Sequence, residues 1–401
     1  MSKFPSPNQQ SKISNQQSPP RYIMIGGFLG AGKSTAVLAL GEHLRKQGLR
    51  VGLITNDQSV GLVDTALMKS HGFEVQEIAG GCFCCRFDSL VEAAEQLQAE
   101  QVPDVFIAEP VGSCTDLVAT VSYPLRRIYG KRYTIAPLSV MVDPIRAERI
   151  LGLDDGKSFS PKVVYVYRKQ LEEASLIVIN KADLLDAARL SRLTETLTEQ
   201  FPQARVLAVS VREQTGLEAW FDRVMADEQG EQPTMAIDYQ LYAEGEALLG
   251  WLNATLRLEA EQPIDGEVLM MNLAERIKRD LQAADGEVAH LKMTLMADDH
   301  QGHVGTLNLV RSDFVAELSQ SLPEKLKRGT LVINLRAEAD PQLMLDTLET
   351  ALAQESAKTG TITIHKEHVE HFRPAAPTPR YRMTGPTELT AFTASAPHSA
   401  D

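Results

Sequence analysis

Three of the four cysteines, Cys82, Cys84 and Cys85, fall within the stretch GGCFCC. Thiols so close together can pack as small hydrophobes, close a disulfide, relay electrons or hold a soft metal ion. Packing predicts scattered positions among apolar neighbours, whereas Gly80 and Gly81 precede this cluster and Arg86 follows it. A disulfide between such near neighbours is strained, and Cys82 and Cys85 match the CxxC spacing of a redox relay only formally. A metal site is the reading these residues favour. Cys84 and Cys85 would point to opposite faces of an extended strand, so the sulfurs converge only on a curled backbone, which two glycines permit. Arg86 and the N-terminus of the helix expected just beyond, near Ser89, favour thiolates. Three thiolates suit Zn²⁺ or Cu⁺, and another divalent transition metal such as Co²⁺ or Ni²⁺ where supply allows.

A second set of residues suits phosphate chemistry. GGFLGAGKST fits GxxxxGK[ST] with Gly27, Gly32, Lys33 and Ser34, between a strand-like run and a helical one. Backbone N–H groups of Gly30, Ala31, Gly32 and Thr35 can turn onto a polyphosphate, Lys33 can reach its outer phosphates, and the Ser34 hydroxyl can ligate Mg²⁺. NKAD, at the end of a later strand, reads guanine: Asp183 accepts from N1–H and the exocyclic amine, while Asn180 and Lys181 pin the ring and brace the loop. Ser210, in LAVSV, adds a backbone contact to the base. A site built on these polar groups takes GTP and rejects ATP, which leaves them unpaired. Glu109, in AEPVG, ends another strand where it can bind Mg²⁺ directly or through water, its plainer alternative being a helix cap; Gly112 follows, with its N–H near a γ-phosphate. Asp57, in LITNDQ, lies at the same sheet edge, placed for Mg²⁺ or for water. Lys33, Ser34, Glu109 and Asp57 are therefore the candidate catalytic residues.

Short β-branched runs alternate with helical ones from Arg21 to Met225, which predicts a mostly parallel sheet with crossover helices at residues 21–228, an α/β class. An acidic, aperiodic linker follows at 229–237. Residues 238–372 read as a smaller α+β domain with an adjacent antiparallel strand pair and two covering helices. Residues 1–20, polar and rich in Pro, Ser and Gln, read as a disordered leader, and 373–401 as a flexible tail. The composition of 401 residues, 43% hydrophobic, supports two ordinary cores. Forty basic and fifty-three acidic side chains give a net charge of −13, which disfavours nucleic acid and anionic membranes as partners. No apolar run is long enough for a bilayer span, and few, clustered cysteines point to a reducing compartment, the cytoplasm by default.

The loop GGFLGAGKST, the CxCC of Cys82, Cys84 and Cys85, the ExxG from Glu109 to Gly112 and NKAD together resemble the CobW-type GTPases, relatives of the urease and hydrogenase accessory GTPases. The likeness covers the first domain almost end to end, and the strand LSVMVDP is similar as well. It implies a P-loop G domain followed by a CobW C-terminal domain, with GTP hydrolysis coupled to handling Zn²⁺, Co²⁺ or a related ion. Delivery to a client metalloprotein and a nucleotide-dependent homodimer follow from the same likeness. Glu77 matches the family's Glu before GxCC and, like water or a client side chain, is a candidate fourth metal ligand. The chain departs from the family at NDQSVGLVD, where NEFGxxGxD is usual, and lacks the long His-rich runs of some relatives, which argues against metal storage. Competing readings are a maturation factor for a cobalt or nickel enzyme, a metal sensor with incidental hydrolysis, and an ATP-dependent kinase or chelatase subunit.

Weaker features stay open between two roles. Cys114 reads as packing or as a nucleotide-edge residue, and His365, His368 and His371 as a solvated segment or a secondary metal contact. His300 and His303 flank a turn and read like those histidines, and Trp220 and Trp251 read as core or interdomain packing.

Overall fold

The computed structural model describes residues 19–56, 65, 68–69, 71–100, 102–231, 233–298, 303–360, 362–385 and 389–391. Asp57, Gly61, Asp64, His300 and nearly all of the expected leader lie outside these residues.

Strands β1 (Arg21–Gly27), β2 (Val51–Asn56), β3 (Glu74–Ile78), β4 (Val105–Glu109), β5 (Thr134–Ile135), β6 (Ser139–Val142), β7 (Leu176–Ile179) and β8 (Arg205–Ala208) form one sheet. Its order is β3-β2-β4-β1-β6-β7-β8, with β5 beside β1, and each pairing is parallel. Runs such as VFIAE in β4 and LIVI in β7 are buried throughout, as strands covered on both faces must be. The covering helices are α1 (Lys33–Lys46), α2 (Phe87–Glu100), α3 (Tyr123–Tyr129), α4 (Pro144–Ile150), α5 (Pro161–Glu173), α6 (Ala187–Gln200) and α7 (Leu217–Ala226). Asp143 and Asp186 cap α4 and α6 by accepting from backbone N–H groups three residues on, and Pro144 and Pro161 occupy first-turn positions that need no N–H. Trp220 is a core residue, its ring N–H donating to Ser139 Oγ at 3.0 Å.

The segment expected as a linker lies on this domain. Gln229 is buried, with its Oε1 accepting from Leu138 N at 2.9 Å and Ser175 Oγ at 3.1 Å. Helix α8 (Tyr239–Leu248) then packs on α5 so closely that a Cβ on Gly245 would stand 2.4 Å from Lys162 O. The chain therefore crosses to the second domain at Leu248–Leu249, about ten residues after the boundary that composition suggests.

That domain is an antiparallel sheet of order β12-β11-β10-β13-β9-β14, built from β9 (Leu249–Ile264), β10 (Glu287–Ala297), β11 (Val304–Leu309), β12 (Glu317–Gln320), β13 (Leu326–Glu338) and β14 (Ile362–Phe372). Helices α9 (Gly266–Ala283) and α10 (Pro341–Thr359) cover one face, on which Leu291, Met293, Leu307, Ile333 and Leu335 join Leu273, Ile277 and Leu348 in a single core. His365, His368 and His371 sit on the edge strand β14 and belong to no metal-binding group among the described residues.

The expected flexible tail does not hold for its first part. Arg373 donates to Ala247 O at 2.6 Å, and the chain returns to the first domain, where β15 (Tyr381–Met383) pairs with β16 (Leu389–Ala391). Met383 is fully buried, Tyr381 meets Phe87 edge to face, and Arg382 pairs with the buried Asp116 at 2.7 Å. Apolar and ionic docking overrides what Pro and Ser suggested.

Between the domains, one buried carboxylate collects the charge. Asp143 accepts from Lys181 Nζ at 2.8 Å and from Arg311 of the second domain at 2.9 Å. Its neighbour Arg146 donates to Leu29 O and, across the boundary, to Val310 O at 2.6 Å and Ala289 O at 3.3 Å. Burial alone would push the Asp143 carboxyl up, but Lys181, Arg311 and Arg146 outweigh it and hold the carboxyl well below the usual carboxylate range. Replacing Asp143 with Asn strands those cations, and a loss of about 3–5 kcal/mol of unfolding free energy is expected in urea titrations. Because the folded-state pKa is depressed, the carboxylate's contribution is complete above the unfolded value of about 4 and shrinks as pH falls below it. The gap between wild type and Asp143→Asn should therefore be constant from pH 5 to 8 and narrow in acid.

Candidate functional site

A cavity of about 440 Å³ opens at the carboxyl ends of β1, β4 and β7, within the range of small-molecule sites. The phosphate loop forms its floor. Gly30 and Gly32 take positive φ, and Gly32 admits no side chain, since a Cβ there would lie 2.4 Å from Asn180 Nδ2. Gly27, also at positive φ, precedes the cavity and passes so near β6 that a Cβ would meet Met141 O at 2.2 Å. Gly30, Gly32, Lys33, Ser34 and Thr35 line the cavity; Ala31 turns its carbonyl to Asn180 Nδ2 at 2.9 Å.

Ser34 Oγ donates to Glu109 Oε1 at 3.0 Å, so a hydroxyl and a carboxylate converge at the loop, the hard oxygen donors that Mg²⁺ takes. Glu109 is thus a site residue rather than a helix cap. Gly112 lines the cavity too, and a Cβ on it would come within 2.8 Å of Leu29, so the ExxG turn and the phosphate loop are fitted to each other.

NKAD shows the bracing expected of its first two residues. Asn180 braces the phosphate loop through Ala31 and accepts from Val211 N at 3.3 Å, and Lys181, at φ 54°, donates to Gly30 O at 2.8 Å as well as to Asp143. Asp183 remains exposed at the cavity wall. Ser210 does not line the cavity: its hydroxyl accepts from Glu213 N at 3.1 Å to hold the turn, and Val211 and Arg212 stand at the wall in its place.

The cysteine loop curls as Gly80 and Gly81 allow, at φ 77° and 152°, and the N–H groups of Cys85 and Arg86 donate to Cys82 O at 3.0 and 2.9 Å. Cys82 Sγ lies 2.7 Å from Cys84 Sγ and 2.8 Å from Cys85 Sγ, and the last two are 3.8 Å apart. Two sulfurs on one tetrahedral zinc stand about 3.8 Å apart, so one edge already has that length and a metal would open the other two by about 1 Å. Glu77 stays outside this cluster, because pairing opposite Thr55 fixes it on the sheet while the sulfurs lie beyond the glycine bend.

Cys114 contributes more than packing. Hydrogen bonds from Cys114, then Cys84 and Cys85, pull the Cys82 thiol well below its ordinary value. As its partners, Cys84 and Cys114 rise well above theirs and Cys85 is pushed up to about 11. Burial and then Cys82 push the carboxyl of Glu246 on α8 well above its usual range. The tail lies over the loop, with Thr378 N donating to Cys85 Sγ at 3.3 Å and Arg380 N to Cys84 O at 2.8 Å.

Two struts join the loop to the cavity. Asn56, which lines the cavity, donates through Nδ2 to Ile78 O at 2.9 Å and Gly81 O at 2.6 Å. The second is the turn from Glu109 through Gly112 to Cys114.

The far wall comes from the second domain, unforeseen in the sequence. Lys292, Asn308 and Asn334 stand in cross-strand register, with His290 opposite Arg336, on the face that carries no helix. The alternating HLKM, LNL and INLR were the available signal, but alternation names a face without naming what it confronts. Trp251 also lines the cavity, with the Arg336 guanidinium 3.7 Å over its ring, and Arg212 pairs with Glu317 at 2.5 Å where the domains meet near Asp183.

A sequence profile described as CobW/HypB/UreG, nucleotide-binding domain, matches residues 21–208. The zinc chaperone CobW of Sinorhizobium sp is 30% identical over 210 residues, 46% of this chain and 57% of that protein. The zinc chaperone YeiR of Escherichia coli (strain K12) is 30% identical over 166 residues, 41% and 47% of the two chains. The zinc-regulated GTPase metalloprotein activator 1 of Dictyostelium discoideum is 25% identical over 213 residues, 46% and 44%. The chain spans about half the length of the curated relatives it matches.

The exposed carboxylate of Asp183 generates a prediction on base choice. Asp183→Asn should weaken GTP binding about 10²-fold or more and admit xanthosine triphosphate, since the amide presents a donor where guanine's exocyclic amine needs an acceptor and xanthine offers a carbonyl. Competition binding with the two nucleotides measures this, and unchanged GTP affinity would remove the guanine assignment.

Proposed function

We propose, from the premise that residues 21–208 form a nucleotide-binding domain of the CobW/HypB/UreG family, that this protein hydrolyses GTP and couples the nucleotide's state to a transition metal held by Cys82, Cys84 and Cys85. The observation that carries the coupling is Asn56, whose side chain borders the nucleotide cavity while its amide holds the carbonyls at either end of the Ile78–Gly81 bend.

The loop amides and Lys33 bind and orient the triphosphate, and Asp183 selects the base. Ser34 and Glu109 would hold Mg²⁺, which supplies charge neutralisation at the β- and γ-phosphates. Gly112 lets its turn close on Leu29 of the phosphate loop, where a Cβ would come within 2.8 Å. The metal, as cargo, binds Cys82, Cys84 and Cys85 as thiolates, so uptake releases protons and weakens in acid. Zinc is the favoured ion for three sulfurs with an unfilled fourth position, and the relatives named zinc chaperones agree with that choice. The open position suits handover to a client metalloprotein.

The test compares Zn²⁺ affinity in the presence of a non-hydrolysable GTP analogue and of GDP. A coupling of about 1–3 kcal/mol gives affinities about 5- to 150-fold apart. Asn56→Ala should bring that ratio close to one while each nucleotide still binds. Equal affinities in the wild type would leave a GTPase with an uncoupled metal site and overturn the proposal.

A further inference from the structure

The sequence of the first domain offers no arginine or glutamine in an obvious position to stabilise charge at the γ-phosphate, and the second domain supplies a cation there instead. Lys292 sits at the centre of the second sheet, on β10, flanked by Asn308 on β11 and Asn334 on β13. Its ammonium crosses the domain boundary and donates to Ser34 Oγ at 3.2 Å, the hydroxyl that in turn donates to Glu109 Oε1 at 3.0 Å. Lys292 thus reaches the oxygens that surround the outer phosphates, in the same cavity as Lys33 and Gly112. Its backbone cannot drift away, because Arg146 fastens Ala289 O and Val310 O, on the adjoining strand ends, to the phosphate loop. Arg336, the other cation on this face, is committed elsewhere: it stacks on Trp251 and donates to Leu252 O at 3.2 Å and Asn253 Oδ1 at 2.8 Å.

We infer that Lys292 is a catalytic residue supplied in cis by the second domain, its ammonium moving from Ser34 to the γ-phosphoryl oxygens of bound GTP. The inference rests on the GTPase reading above. In the step it serves, the oxygen of water bonds to the γ-phosphorus and the bond from that phosphorus to the bridging oxygen breaks. GDP leaves with the bond's electron pair, and the water's proton departs on the product phosphate or to solvent. Lys292 transfers no proton; it stabilises the charge as it redistributes among the γ and bridging oxygens.

The experiment measures single-turnover GTP hydrolysis by the full chain with Mg²⁺, alongside binding of GDP and of a GTP analogue, for wild type, Lys292→Ala and Lys292→Arg. Lys292→Ala should lower the hydrolysis rate constant about 10²-fold or more while both dissociation constants stay within a few-fold. Lys292→Arg should recover part of the rate, and trapping of GDP with aluminium fluoride should fail for Lys292→Ala alone. A residue that only fastened the interface would change affinity or melting temperature and leave the bound-state rate intact; that result, with an active wild type, overturns this proposal and spares the GTPase reading. A wild type that binds GTP without hydrolysing it overturns both.

Discussion

The arrangement depends on a carboxylate that water does not reach. Burying Asp143 without partners would cost several kcal/mol, so its place in the fold is tenable only with Lys181 and Arg311 both in contact and Arg146 close by. Those partners belong to three different parts of the chain: the base-reading loop, the second domain, and the helix that Asp143 itself caps. Lys181 also donates to Gly30 O, so the same charge cluster shapes the phosphate loop. The cavity's floor and two of its walls are thereby set relative to each other by electrostatic necessity, with apolar packing filling in around them.

The cysteine loop obeys a different economy. Its sulfurs are largely buried, and hydrogen bonds among the thiols lower the Cys82 thiol while those of its partners rise. A divalent ion must displace protons as it binds, which makes loading sensitive to whatever loosens the loop. Asn56 and the Glu109–Cys114 turn are the two places where such loosening can originate at the nucleotide cavity.

Local chemistry was the part of this molecule that its sequence declared. The phosphate loop was legible because glycine torsions and a Lys-Ser pair act over a few residues, and the parallel sheet because fully buried strands leave continuous apolar runs. Within NKAD the bracing expected of Asn180 and Lys181 is present, while the hydroxyl of Ser210 closes a turn and Val211 and Arg212 line the cavity instead. Glu77 was named from the family resemblance, and strand pairing holds it on the sheet, outside the sulfur cluster. Asp143, Lys292, Cys114 and Glu246 gain their meaning from partners far along the chain, Lys181 and Arg311, Ser34, and Cys82, and no spacing rule reaches that far. Composition misled most at the end of the chain, where prolines and serines promised mobility and Arg382 with Met383 delivered docking.

The second domain departs and returns at nearly one point. β9 leaves beside Ala247, β14 arrives at Phe372 paired with Trp251, and Arg373 bonds the returning segment to Ala247 O. Both crossings then converge on Asp116, which accepts from Tyr239 of the outgoing helix and Arg382 of the returning tail, two residues past Cys114. On the opposite side, over the cavity, the domains are clasped by Asp143 with Arg311 and by Arg146 with Val310 O and Ala289 O. Covalent continuity is thus concentrated beside the cysteine loop while the cavity side is held by non-covalent bonds, so any parting of the domains begins at the cavity and not at the sulfurs.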